Sequence, residues 1–472
     1  MAISSPVDKP TTRPKLKREI GIWIAIALVV GNMIGSGVFL LPAALASEGS
    51  VSIFGWIFTG IGAVMLALVF ANLGKAFPRT GGPYAYARRA FGDFVGFQTA
   101  WGYWIAIWAG NAAIAVAFVG YLAVFWPAVG TNGILASAVG IAAIWFLTFT
   151  NILGVRQGGQ IQLITTVLKF IPLLVIGLVG IFFIKGSNFT PFAPQGVFPG
   201  ITAAAALTLW AFIGLESATV PAEEVKDPER TIPRATIIGT LLATAVYILA
   251  TVAIMGIVPN AELAKSASPF ADAATTIFGG WAGKGIALVA MISAFGCLNG
   301  WILLQGRVPL AAAEDGLFPK QFAKVHGTRK TPVFGLVISS LLVTGLMVMN
   351  YTQSLVQQFT FVILLATLTT LVPYAYSAAA EVYMFFTDRQ LFSIKNFTVH
   401  TSIAVVAFAY SIWAIAGAGN DVIAKGFILL TLGIPIYVFL KWRQSPSAVK
   451  AMQPALAKSE VVPTITRPTV AG

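Results

Sequence analysis

Residues 31–37 read Gly31-Asn32-Met33-Ile34-Gly35-Ser36-Gly37, inside an apolar run that extends from about residue 20 to 43. Each glycine raises the cost of continuous helix by about 1 kcal/mol, so the sequence predicts an unwound turn within this run. In a bilayer, freed N–H and C=O groups are tolerated only where they line a polar cavity or are buried in protein. The break therefore points to a binding site. The competing reading is a stripe of small residues that lets two helices pack closely; Asn32 and Ser36 favour the cavity.

Working outward, the chain has 472 residues, 57% hydrophobic and only 10% charged, where a soluble domain carries about a quarter charged residues. A bilayer core about 30 Å thick needs roughly 20 apolar residues of helix. Runs of that length fall near 20–43, 51–74, 94–126, 133–153, 160–184, 200–220, 235–258, 284–311, 332–350, 357–383, 400–418 and 422–441. The expectation is an all-α polytopic membrane protein with about 12 transmembrane helices. One cysteine, Cys297, excludes an internal disulfide framework, and two histidines, His326 and His400, both expected in loops, leave little for metal chemistry. No catalytic, metal or cofactor site is expected. A net charge of +13 would suit nucleic acid, but here the charge sits between apolar runs rather than on a soluble folded face.

Short cytoplasmic loops retain Lys and Arg. The first 18 residues carry Lys9, Arg13, Lys15, Lys17 and Arg18, and alternate loops carry Lys75 to Arg89, Arg156, Lys226 to Arg234, Lys320 to Lys330, and Arg389 with Lys395. The opposite face has only Lys185, Lys265, Lys284 and Lys425. Both termini are expected to be cytoplasmic, in the plasma (inner) membrane. Residues 1–18 would form a cytoplasmic tail with no cleaved signal, 19–443 the membrane domain, and 444–472, rich in Pro, Ser, Thr and Ala, a disordered cytoplasmic tail.

A second break is expected in the sixth run, at Trp210-Ala211-Phe212-Ile213-Gly214-Leu215-Glu216-Ser217. A carboxylate inside an apolar span costs at least a few kcal/mol and usually faces a pathway or a partner. Glu216 is read that way, against the plainer reading of a structural carboxyl bonded to a neighbouring helix. The two breaks are five spans apart. An odd repeat unit must enter the bilayer from the opposite side, giving inverted repeats over spans 1–5 and 6–10 with their breaks meeting near the midplane. There a half-helix N-terminus suits a carboxylate and unwound carbonyls suit an ammonium.

These residues resemble the amino acid–polyamine–organocation transporter superfamily, and within it the basic amino acid and polyamine antiporters, above all the arginine/agmatine branch. The resemblance runs from about Glu19 to Arg443 and is carried by GNMIGSGVFLLPAALA, GGPYAYARRAFG, LTLWAFIGLESA, PNAELAKSASPFADAA and EDGLFP. It implies a leucine-transporter-like fold of two inverted five-helix repeats plus two further helices, often dimeric, working by alternating access with no covalent chemistry. It also implies that Asn32, Gly35, Ser36 and Gly37 bind the substrate's α-carboxylate, while Met33, Ile213 and Gly214 offer carbonyls to its α-amino group. Trp210 would face a cationic side chain, Asn111 and the Ala106 backbone would meet its far end, and Trp301 would line the pocket. Tyr103, Glu216 and Tyr374 match gating and pH-response positions. The aromatic residues have an alternative reading as packing or interface groups.

Ile107, Ile114 and Ala366 stand where that branch has Cys, Met and Ser, which makes the pocket more apolar. Lys169 departs further. It resembles the fifth-span lysine of other superfamily members, whose ammonium replaces sodium; a buried ammonium needs acceptors, which carbonyls near Gly31 or on the eighth span would supply. The alternative is a lysine that snorkels to the interface. The leading expectation is an antiporter of cationic amino acids or their amines, and the runner-up a sodium-independent carrier of neutral amino acids. A sensor would append a soluble domain, and an enzyme would show a metal constellation, a phosphate loop or a GxSxG elbow, none of which the sequence contains.

Overall fold

The computed structural model describes residues 18 and 20–444, except 80, 154–167, 171, 172, 221, 223, 224, 328–330, 351 and 389–396. Apart from Arg18 and Gln444, the two expected tails lie outside the described residues, as do Arg156, Arg389 and Lys395. Among the described residues, nine helices are long and apolar enough to cross a membrane, and three shorter apolar helices, Leu168–Phe183, Val197–Phe212 and Val333–Met349, complete the dozen. In chain order the spans are Ile22–Ala46, Ser52–Ala76, Pro83–Leu122, Gly133–Leu153, Leu168–Phe183, Val197–Phe212, Pro228–Ile257, Gly280–Glu314, Val333–Met349, Leu355–Thr387, Phe397–Ala416 and Asn420–Gln444, referred to below as the first to twelfth.

The third span is the centre of the bundle and packs most extensively against the tenth and the eighth. In its most apolar stretch 89% of residues are buried, against 17% in the twelfth, which therefore lies at the periphery. The second span packs on the seventh and the sixth, and the N-terminal half of the first, Ile22–Met33, on the seventh. Phe146, Phe149, Leu241, Val405 and Phe427 are among many large apolar side chains left exposed. On a soluble protein such surface would drive association; around this bundle it meets acyl chains. The chain is an integral membrane protein.

Several details differ from the sequence reading, among them the start of the seventh span, at Pro228 rather than near 235. The third span starts at Pro83, not near 94, because GGPYAYARRAFG is itself helical and meets the remainder at a kink where Gly92 has φ 82°. The sixth is helical only to Phe212, and residues 213–220 run in turns. His400 is not in a loop: it lies in the first turn of the eleventh span. The polar gap between the ninth and tenth spans is real, and it ends in a capping box in which Ser354 and Gln357 satisfy each other's N–H groups.

Candidate functional site

The first span is two helices, Ile22–Met33 and Ser36–Ala46, separated at Ile34 and Gly35. Gly35 has φ −107° and ψ −150°, and its N–H turns back to the Met33 carbonyl at 2.8 Å. No side chain caps the helix that follows, so its first N–H groups and its positive dipole end face the break. The sixth span stops opposite. After a short 3-10 turn at Trp210–Phe212 the chain extends at Ile213, and Gly214 takes φ +112°. A Cβ there would lie 3.0 Å from Asn32 atoms, so only glycine allows both the left-handed backbone and the contact between the two breaks.

A narrow cleft, with a cavity volume of only about 10 Å³, lies at this junction, lined by Asn32, Met33, Gly35, Gly37, Ile114, Trp210, Ile213, Cys297 and Trp301. Trp210 is 8% exposed, and its indole lies where Cβ atoms on Gly37 or Gly110 would sit, 2.6 and 2.7 Å from ring carbons. Those glycines leave the ring no competitor. The Asn32 amide donates to the Ser217 hydroxyl at 2.9 Å, tying the two interrupted spans together.

Seven of the expected substrate contacts therefore converge: Asn32, Met33, Gly35, Gly37, Trp210, Ile213 and Trp301 line the cleft. Gly214 adjoins it through Asn32. Ala106, Ile107 and Ala366 are buried and are not among the lining residues, and the side chain of Ser36 lies outside the described residues. Asn111 is committed elsewhere. Its amide donates to Gln305 at 2.7 Å, and Gln305 in turn donates to Ser340 at 2.8 Å and to the Leu336 carbonyl. Ser340 also shares a 2.7 Å hydrogen bond with Thr148, so this buried network joins the third, fourth, eighth and ninth spans.

Glu216, fully buried, accepts from Tyr103 at 2.6 Å, from Tyr374 at 2.5 Å and from the Gly214 N–H at 3.1 Å. One carboxylate thus joins the third, sixth and tenth spans just past the break. Lys169, also fully buried, donates from Nζ to the Gly31 carbonyl at 2.9 Å. Of the two acceptor sets expected for it, the described contact uses the first span.

Ile114, expected in the pocket from the resemblance, does line the cleft, whereas sequence reasoning did not place Cys297 there; it is an ordinary apolar position until the break is folded. Sequence reasoning also passed over Glu381, which is 1% exposed on the tenth span and accepts from Asn72 at 2.8 Å, beside His400. The signal was the same as for Glu216, an acid inside an apolar run. At the basic end of the bundle, Arg88 pairs with Asp315 at 2.7 Å and Asp93 at 3.0 Å, Lys441 with Asp93 at 2.6 Å, and Arg89 with Asp388 at 3.0 Å. Tyr84 adds a 2.8 Å bond to Asp315. These contacts join the third span to the twelfth span and to the segments that follow the eighth and tenth.

Interrupted spans meeting at a buried cleft, inside a helical bundle with an apolar outer surface, define a multispan membrane carrier. The amino acid permease family model matches residues 20–440, and the chain belongs to that family. The cadaverine/lysine antiporter of Escherichia coli (strain K12) is 36% identical over 436 residues, 89% of this chain and 94% of the relative. The putrescine transporter PotE of Haemophilus influenzae is 34% identical over 90% of this chain and 98% of its own length. The putative arginine/ornithine antiporter of Bacillus subtilis (strain 168) is 33% identical over 90% and 97%.

Proposed function

We propose that this chain is a secondary active antiporter that exchanges cationic amino acids, or a cationic amino acid for its cognate amine, by alternating access across the plasma (inner) membrane. The observation that carries this reading is the meeting of the two helix breaks beside Trp210. Full-length similarity to relatives named for lysine with cadaverine, putrescine, and arginine with ornithine supports a cationic substrate.

In this reading the N–H groups of Gly35, Ser36 and Gly37, with Asn32, hold the α-carboxylate, where the helix end offers about half a positive charge. Carbonyls of Met33, Ile213 and Gly214 accept from the α-ammonium. The Trp210 face attracts the side-chain cation, worth about 0.5 to 2 kcal/mol, and Trp301 closes the other wall. Asn111 meets the far end of a long side chain after releasing Gln305. Tyr103 and Tyr374, bonded to Glu216, gate the path, and Lys169 fills the position a coupling cation would otherwise take. The arginine and lysine pairs with Asp93, Asp315 and Asp388 hold the cytoplasmic side shut and separate when the carrier opens inward. The two five-helix repeats are inverted, both termini are cytoplasmic, and residues 19–443 form the transport domain between the tails 1–18 and 444–472.

The test is counterflow in sodium-free proteoliposomes preloaded with lysine, arginine, ornithine, cadaverine, putrescine or leucine, following labelled arginine and lysine. Uptake driven by a cationic internal partner is expected. Uptake driven by leucine alone, or entry of neutral amino acids only, would overturn the cationic assignment.

A further inference from the structure

A second, half-open cavity, of about 280 Å³, lies away from the central cleft, between the start of the first span and the start of the seventh. Gly21 and Ile22 form one wall; Lys226, Asp227, Arg230, Thr231 and Arg234 form the other. The Lys226 N–H holds the two walls together by donating to the Ile20 carbonyl at 2.8 Å. Among the described residues, three cations and one acid line it, a net of two positive charges. Asp227 offsets little, because its carboxylate is 3.9 Å from the Arg230 guanidinium and both side chains are mostly exposed. Arg230 and Arg234 stand four residues apart on one helix face, an arrangement of like charges that destabilises an isolated helix and is relieved by a bound anion.

The surroundings specify the kind of anion. Positions 230, 234, 238 and 241 follow one stripe of the seventh span, and it changes from two arginines to Ile238 and Leu241, 47% and 51% exposed. On the first-span side, Trp23 is 78% and Ile24 48% exposed. A basic pocket on the same helix as an exposed apolar stripe, with an exposed indole next in sequence to its Ile22 wall, matches a molecule with an anionic head and acyl chains. Tryptophan at span ends and basic pockets between helices are both features of the headgroup level.

We propose that this cavity binds the phosphate headgroup of an anionic phospholipid of the cytoplasmic leaflet, with Lys226, Arg230 and Arg234 on the phosphate and an acyl chain along Ile238 and Leu241. Positive-inside topology accounts for cations on this side of the membrane, but not for their convergence on one cavity whose helix continues as an exposed apolar stripe. The lipid bridges the entry of the interrupted first span and the entry of the seventh.

The experiment uses the full-length protein in a neutral detergent, titrated with phosphatidylglycerol, phosphatidylcholine or inorganic phosphate, and reads bound lipid by native mass spectrometry together with the thermal unfolding midpoint. Phosphatidylglycerol should be retained and should raise the midpoint; phosphatidylcholine and inorganic phosphate should do neither. Each cation close to an anionic lipid surface is worth about fivefold in binding, so the combined change Lys226→Gln, Arg230→Gln and Arg234→Gln should weaken phosphatidylglycerol binding roughly a hundredfold. The conservative pair Arg230→Lys and Arg234→Lys should retain it. Should the triple variant fail to fold, Arg230→Gln alone carries the test, with a loss of about fivefold expected. Unchanged phosphatidylglycerol affinity in whichever of these folds would overturn the assignment. So would equal retention of phosphatidylcholine, or a midpoint shift from inorganic phosphate as large as from the lipid, which would make this a site for free phosphate. Since the readouts involve no transport, they stand or fall apart from the antiport reading.

Discussion

The Lys169 ammonium donates to the Gly31 carbonyl at 2.9 Å, pinning the fifth span to the helix that ends at Met33. A fully buried cation is placed on a carbonyl three residues before the break, so the tie reaches the substrate cleft through a single turn of backbone.

Lys169→Met removes the donor and leaves the carbonyl without it, a cost of about 1 to 3 kcal/mol for a buried polar group. Exchange in proteoliposomes should fall at least tenfold (about 1.4 kcal/mol), with sodium giving no rescue, and the unfolding midpoint in detergent should drop. Normal exchange alongside a lowered midpoint would reduce the contact to a packing role.

Trp210→Leu keeps an apolar wall but removes the π face. Binding of lysine or arginine should weaken by about 2- to 30-fold, following a cation–π contribution of about 0.5 to 2 kcal/mol, while a neutral amino acid of similar length should lose less. Calorimetric titration of both ligands checks this, and equal losses would remove the cation–π role.

Glu216→Gln replaces the one ionisable acceptor between Tyr103 and Tyr374 with an amide of the same shape. The pH profile of exchange should flatten while the protein stays folded. An unaltered profile would make Glu216 a structural tie between the third, sixth and tenth spans.

Glu48 follows the first span, half-buried, with its Oε2 out of contact with water and without a hydrogen-bond partner. Burial pushes its carboxyl up, and the Ser47 hydroxyl only partly offsets this. The folded protein therefore binds a proton more tightly than the unfolded chain does. Stability is greatest with the proton on and declines as pH rises from the ordinary glutamate range, near 4.5, through the raised folded value. Glu48→Gln should lessen that decline; parallel midpoints of the two proteins from pH 4 to 8 would show that Glu48 does not contribute.

The sequence by itself determined the membrane class, the dozen spans and the places where two of them break, because hydropathy and glycine act locally and leave their mark on contiguous residues. Glu216 was legible for the same reason, since an acid in an apolar run is conspicuous wherever it folds. Tertiary structure decided which of the expected residues share the cleft and what joins them there. Cys297 and Ile114 reach it from the eighth and third spans, while Asn111, a polar residue near Ile114 on the same span, turns away to Gln305. It also paired Glu381 with Asn72, 309 residues away, and gave Glu216 its two tyrosines. Periodicity records only whether a side chain faces lipid or protein. Which protein group it meets depends on helix rotation and neighbour choice, set by packing among all the spans at once.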